Sequence, residues 1–229
     1  YPVVGVTGSY GKTVVKEWFS SLVRPFIPHV TNPRSFNSQL GVPLSVWRMN
    51  QHVRLAIFES GISQTGEMNT LQKIILPTHG VFINIGEAHA KGFPSKKEKA
   101  WEKAQLFIQS RYLVYSVDYP EIIDSVSWLK QENNALLTET FSIKGKEADL
   151  SICKTDNGWT ATYHQFPINF QLPFSDQASI ENAAAAFLLA LQLGFLPEQI
   201  LPRLSDLEQV EMRLQQKQAI NQCQLINDS

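Results

Sequence analysis

A chain that places a glycine-rich turn between a buried strand and an amphipathic helix has few folds open to it. Here the apolar stretch Pro2-Val3-Val4-Gly5-Val6 runs into Thr7-Gly8-Ser9-Tyr10-Gly11-Lys12-Thr13, and Val14, Val15, Trp18, Phe19 and Leu22 follow at helical spacing. Such a strand–turn–helix aims backbone N–H groups and the positive end of a helix at one point, which suits a phosphate. Lys12 supplies a cation for the outer phosphates, and the Thr13 hydroxyl is an oxygen ligand for Mg²⁺. The strict pattern has Gly five residues before Gly11, where this chain has Val6. Gly5 and Gly8 stand to either side.

The rest of the first half alternates strand and helix. Strands are expected at 2–6, 28–31, 53–59, 80–85 and 112–116. Helices are expected at 12–23, 38–47 (interrupted by Pro43), 67–75 and 96–110. This rhythm implies a P-loop-type α/β fold, a mostly parallel, doubly wound sheet with helices on both faces and ligands at the strands' carboxyl ends. After about Asn134 the segments 136–143, 150–154, 160–164 and 168–172 are short and alternating, and Asp156-Asn157-Gly158 is a hairpin signal. A smaller antiparallel sheet beside the parallel one is expected there, then helices at 179–193 and 197–207 and a hairpin linking 214–217 to 223–227. The whole reads as a single domain over 1–229, with a parallel part over about 1–133 and an antiparallel sheet with helices over about 134–229.

Composition narrows the function. The net charge of -1 leaves no electrostatic footprint for nucleic acid. No apolar run reaches the roughly 18 residues of a membrane span. The two cysteines, Cys153 and Cys223, lie far apart, which suits buried thiols in a reducing, cytoplasmic compartment. The chain opens almost inside its first strand and closes just past its last, as an internal domain of a longer protein would.

Several polar residues stand where the fold would gather them. Glu59 ends the apolar strand Leu55-Ala56-Ile57-Phe58, where a nucleotide-bound Mg²⁺ needs an oxygen. His89 follows Val81-Phe82-Ile83-Asn84-Ile85 in the loop Gly86-Glu87-Ala88-His89, with Glu87 a rival for a metal role. Lys103 flanks the stripe Ala100, Ala104 and Phe107, so it either snorkels outward or reaches into a site. Asn182 lies in the first turn of an Ala- and Leu-rich helix. Arg213 and Asp228 flank the final hairpin.

In this order the residues resemble the central ATPase domain of the Mur ligases, over nearly the whole chain. Phe36-Asn37-Ser38-Gln39-Leu40-Gly41-Val42-Pro43-Leu44, Phe58-Glu59-Ser60-Gly61 with Gly66-Glu67-Met68, and Asn84 to His89 with Gly92-Phe93 carry the likeness. The most similar branch is MurF, which adds D-alanyl-D-alanine to a UDP-MurNAc-tripeptide. Pro33 to Gln39 and Ala178 to Asn182 resemble the variant fused to an alanine racemase.

The resemblance implies roles by position. Gly8, Ser9, Tyr10, Gly11, Lys12 and Thr13 would hold the ATP phosphates, and Thr13 with Glu59 one Mg²⁺. Glu59 and His89 would bind a second metal. Lys103 would be the carbamylated lysine that reaches it. Asn37 would meet the substrate, Asn182 the adenine, Arg213 the γ-phosphate and Asp228 the ribose. Lys12, Glu59, His89 and Lys103 would carry the catalysis. The missing partners would be N-terminal UDP-binding and C-terminal domains, with UDP-MurNAc-peptide and D-Ala-D-Ala as substrates. The chain departs from the pattern at Ala178 and Ser179 before Asn182, at Met212 before Arg213, and at Gln105 after Lys103. A folylpolyglutamate synthase shares the domain and the chemistry. A nucleotide-binding module without catalysis would need the loop but no convergence of Glu59, His89 and Lys103.

Overall fold

A computed structural model describes residues 1–87, 92–156, 158–210, 215–218 and 224–227, the last two segments as backbone. Strand β1 (Val3–Thr7) runs inside the sheet, between β3 and β4, and helix α1 (Lys12–Val23) follows it across the glycine turn. Next come β2 (His29–Thr31), α2 (Gly41–Val46), β3 (Leu55–Glu59), α3 (Glu67–Ile75), β4 (His79–Phe82), α4 (Lys96–Ala104) with a 3₁₀ turn at Gln105–Phe107, and β5 (Tyr112–Ser116). Helix α5 (Pro120–Glu132) leads to β6 (Leu137–Ser142), β7 (Leu150–Thr155), β8 (Gly158–Tyr163) and β9 (Phe166–Ile168). Helices α6 (Gln177–Gln192) and α7 (Pro197–Leu204) precede the hairpin β10 (Gln215–Gln218) and β11 (Gln224–Asn227).

Nine strands form one sheet in the order β2-β3-β1-β4-β5-β6-β7-β8-β9. β1 pairs in parallel with β3 (Val6 opposite Glu59) and with β4 (Thr7 opposite Phe82). The chain therefore reverses its direction of winding at β1, and the crevice beyond its carboxyl end is where this fold class binds ligands. Alternation sorts the core into two layers. Val4, Val6 and Ile57 join α1 and α6 on one face, while Ala56, Phe58 and Phe82 join α3, α4 and α5 on the other. Residues 180–190 of α6 are buried without a break, and from Ala183 to Ala190 the helix is apolar on every side.

Three expectations need correction. The strands β7, β8 and β9 form no separate antiparallel sheet but continue the edge of the parallel one, and only β10 and β11 pair in a small antiparallel sheet of their own among the described residues. The parallel part does not stop at residue 133, because β6 pairs in parallel with β5, and β7 with β6. The cause is α5, absent from the expected elements, which makes β5–α5–β6 a crossover that returns its strand in the same direction. Its signals were present, with Pro120 opening the helix and Ile122, Val126 and Leu129 buried at helical spacing. Finally, α2 spans only Gly41–Val46, and Pro43 sits in its first turn, where a missing N–H breaks no helical bond.

Candidate functional site

The glycine turn takes its shape from the end of β4. Asn84 Oδ1 accepts hydrogen bonds from Ser9 N (3.1 Å) and Tyr10 N (3.0 Å). Its Nδ2 donates to Glu181 Oε2 on α6 (2.8 Å), and the Tyr119 hydroxyl donates to Glu181 Oε1 (2.8 Å). Burial pushes the Glu181 carboxyl up, against the pull of those donors. Gly86 N donates to Ser9 Oγ (2.8 Å), closing the loop from the far side. The N–H groups of Ser9 and Tyr10 thus serve the shape of the loop. The N-terminus of α1, like that of any helix, favours an anion. Gly11 carries the reversal with a φ of 75°, a left-handed conformation that favours glycine. The position where a Cβ on Gly11 would stand is 2.1 Å from Asn182 Oδ1, so that glycine also makes room for Asn182. Val6 in place of glycine is explained as well: it is a fully buried core residue of β1, and the turn begins after it.

Glu59, the last residue of β3, is fully buried. Desolvation pushes its carboxyl up, while Lys16, the Thr13 hydroxyl, Lys12 and Asn37 pull it down. Asn37 Nδ2 donates to Glu59 Oε1 (3.2 Å), and among the described residues Oε2 has no hydrogen-bond partner. An orphaned buried carboxylate oxygen beside a threonine hydroxyl fits a hard cation that takes its other ligands from phosphate and water. No group of three His, Cys, Asp or Glu able to hold a metal occurs among the described residues.

A cavity of about 370 Å³ opens beside the turn, lined by Gly8, Ser9, Lys12, Asn37, Gln39, Ile62, Glu67, Lys99 and Lys103 among others. Lys12 Nζ lies across its mouth, donating to Gly8 O (3.1 Å) and Ser9 O (3.3 Å). Lys99 and Lys103 enter from α4, four residues apart and so on one helix face. Both are almost fully buried. Lys99 Nζ donates to Gly86 O (2.6 Å). Burial first, then the charges of Lys12 and Lys99, hold the Lys103 ammonium well below the usual lysine range. Lowering a lysine's pKa makes its amine more available as a nucleophile. The sequence left open whether Lys103 snorkels or turns inward; the structure places it inside.

The structure thus brings the loop residues Gly8 to Thr13, Asn37, Glu59, Lys103 and Asn182 to one end of the sheet. His89, Arg213 and Asp228 lie outside the described residues. Asn182, at the start of α6, is buried against the turn, and its Oδ1 has no hydrogen-bond partner among the described residues. Four contributors were missed in the sequence: Asn84, Glu181, Lys16 and Lys99. Lys16 was the most detectable, a cation between Val15 and Trp18 on the buried face of α1.

Fold and site together define a P-loop-type α/β nucleotide-binding domain, with the phosphate turn after the strand β1, where the winding reverses. A family description, the Mur ligase middle domain, matches residues 6–190, and the chain belongs to that family. It is 28% identical over 234 residues to the UDP-N-acetylmuramoyl-tripeptide--D-alanyl-D-alanine ligase of Bacillus subtilis, covering 99% of this chain and 49% of that protein. The crystal structure of MurF from Acinetobacter baumannii has a TM-score of 0.84 at 22% identity, covering 100% of this chain and 50% of that one. MurF from Thermotoga maritima in complex with ADP has a TM-score of 0.81 at 22% identity, covering 99% and 52%. The chain spans about half the length of the curated relatives it matches.

Proposed function

We propose that this chain is the ATP-binding domain of a ligase that adds D-alanyl-D-alanine to a UDP-MurNAc-tripeptide in the cytoplasm. The observation that carries this reading is one cavity shared by the phosphate turn, Lys12, Asn37 and a buried Lys103, with Glu59 hydrogen-bonded to Asn37. The curated relatives carry the D-alanyl-D-alanine ligase name, and the Thermotoga maritima relative was solved with ADP. Bound Mg²⁺ would supply charge neutralisation at the phosphates, with Thr13 and Glu59 as its protein ligands.

In the proposed reaction, a substrate carboxylate attacks the γ-phosphorus of ATP, giving an acyl phosphate and ADP. The dipeptide amine then displaces phosphate, and the amide forms as the amine loses a proton. The chain's own share is to hold the phosphates on the turn and to set Lys12 against the charge that develops on them. Lys103, as its amine, would add to CO₂ as a carbamate and release one proton, turning a neutral group into an anion that would face the metal position. Asn182 would take the adenine, Asn37 would hold Glu59 from the substrate side, and His89, Arg213 and Asp228 would complete the metal, γ-phosphate and ribose contacts. Domains flanking the chain would bring the UDP end and close over the nucleotide.

Calorimetry with ATP and Mg²⁺ tests the reading. Loss of a charge-assisted phosphate contact is worth about 1.5–3 kcal/mol, so Lys12→Ala weakens binding by roughly 10- to 100-fold. Equal affinity in the variant and the wild type refutes the site. D-alanyl-D-alanine ligation is then sought in the protein with its flanking domains, and full turnover by these 229 residues alone would overturn the division of labour.

A further inference from the structure

Lys16 plays no part in the reaction above, yet it is fully buried on α1, one helical turn past Lys12. Burying an ammonium is costly unless each of its donors finds an acceptor. Three acceptors meet this one: Asn32 O (2.7 Å), Arg34 O, and Glu17 Oε1 (3.0 Å). Two of the three belong to the segment that leaves β2 and carries Asn37. At Arg34 that segment turns through a φ of 49°, unusual for a residue with a side chain.

The same segment is tied to the metal carboxylate by its own side chains. Asn32, also fully buried, donates through Nδ2 to Phe36 O (2.7 Å) and to Glu59 O (3.1 Å), and its Oδ1 accepts from Glu59 N (3.1 Å). Asn37 N donates to Ser35 O (2.7 Å), and Asn37 Nδ2 reaches Glu59 Oε1. An unbroken chain of contacts therefore runs from the Lys16 ammonium through the 32–37 turn to both the backbone and the carboxylate of Glu59.

We propose that Lys16 is a positioning residue, an internal cation that clasps the 32–37 turn and so sets the Asn37–Glu59 pair that receives the divalent ion. The inference rests on the nucleotide-site reading above. It makes Lys16 act on metal binding without touching nucleotide, metal or substrate. Partners behind metal ligands commonly affect affinity by about 10- to 100-fold when removed.

The test uses Lys16→Met, which keeps an unbranched stem and loses the charge. Mn²⁺ binding to the chain with ADP present is read by electron paramagnetic resonance, and ADP binding in EDTA by calorimetry. Mn²⁺ affinity is expected to fall by about tenfold or more, with metal-free ADP affinity unchanged and much of the loss restored in Lys16→Arg. Asn37→Ser, further along the same chain of contacts, is expected to show the same selective loss, and it decides the matter should Lys16→Met fail to fold. Unchanged Mn²⁺ affinity, or an equal fall in Mn²⁺ and metal-free ADP binding, overturns the proposal. A wild-type chain that binds no ADP, or binds it as well after Lys12→Ala, is instead a failure of the nucleotide-site reading.

Discussion

Gly11→Ala separates the two reasons for a glycine at the turn, and its cost divides accordingly. Its φ of 75° lies in the left-handed region, where an L-residue loses about 1–2 kcal/mol. The new methyl would also stand 2.1 Å from Asn182 Oδ1, and crowding of a packed site costs about 1–3 kcal/mol. Together these come to about 2–5 kcal/mol, or a fall in Tm of roughly 4–20 °C for a domain of this size. Asn182→Ala removes the obstacle, and should itself cost little because Oδ1 has no partner to lose among the described residues. In that background Gly11→Ala should cost only the backbone share. Thermal unfolding of the four proteins gives the coupling energy directly, expected at about 1–3 kcal/mol. An identical cost in both backgrounds would refute the steric half of the argument. ADP calorimetry supplies the functional half: Gly11→Ala, which must push Asn182 aside, should weaken ADP binding at least as much as Asn182→Ala does.

Two further outcomes follow from the buried charges. Lys103 sits well below the ordinary lysine range, so ¹³C-bicarbonate at neutral pH should give a protein carbamate resonance that Lys103→Arg lacks; identical spectra would remove the carbamate from the mechanism. Burial raises the Glu59 carboxyl above the ordinary carboxylate value of 4.5, so above 4.5 the folded state holds a proton there that the unfolded chain has released, and stability falls as pH rises from 4.5 through the folded-state pKa. In EDTA, Glu59→Gln should therefore gain on the wild type in Tm as pH rises through that window, and lose the advantage below 4.5; a constant difference across the range would show that burying the charge carries no cost.

The turn, the strand that feeds it and the helix that leaves it were legible because each rests on local chemistry: an apolar run, a glycine and a helical stripe. The ends of β1 and β3 were legible too, and with them Glu59. What the sequence could not reveal is what depends on sheet order. Asn84 closes a strand in the sequence like many asparagines, and only the placement of β4 beside β1 turns its amide onto Ser9 and Tyr10. Glu181 lies 97 residues from the Asn84 it meets. The helix α5 is harder to read from the sequence for a simpler reason: its buried stripe is narrow, Ile122, Ser125, Val126 and Leu129, and it lies between two strands. That single omission put the start of the antiparallel region one crossover too early.

The electrostatics of the site follow from where its lysines stand. Lys12, Lys99 and Lys103 share one cavity wall while Lys16 and Glu59 lie behind it, so a cluster of like charges is built where the net charge of the chain is only -1. Such a cluster repels itself and destabilises the fold unless something relieves it. Two reliefs are built in. Burial and the neighbouring lysines hold Lys103 well below the usual lysine range, which favours loss of its charge, and Lys12 and Lys99 rest on backbone carbonyls, of the turn and of Gly86 respectively. A triphosphate entering this cavity would meet charges that already repel one another, so binding it relieves a strain of the empty fold as well as making new contacts. The chain should accordingly gain more stability from ATP than from an uncharged nucleoside by a margin that shrinks as salt screens the lysines.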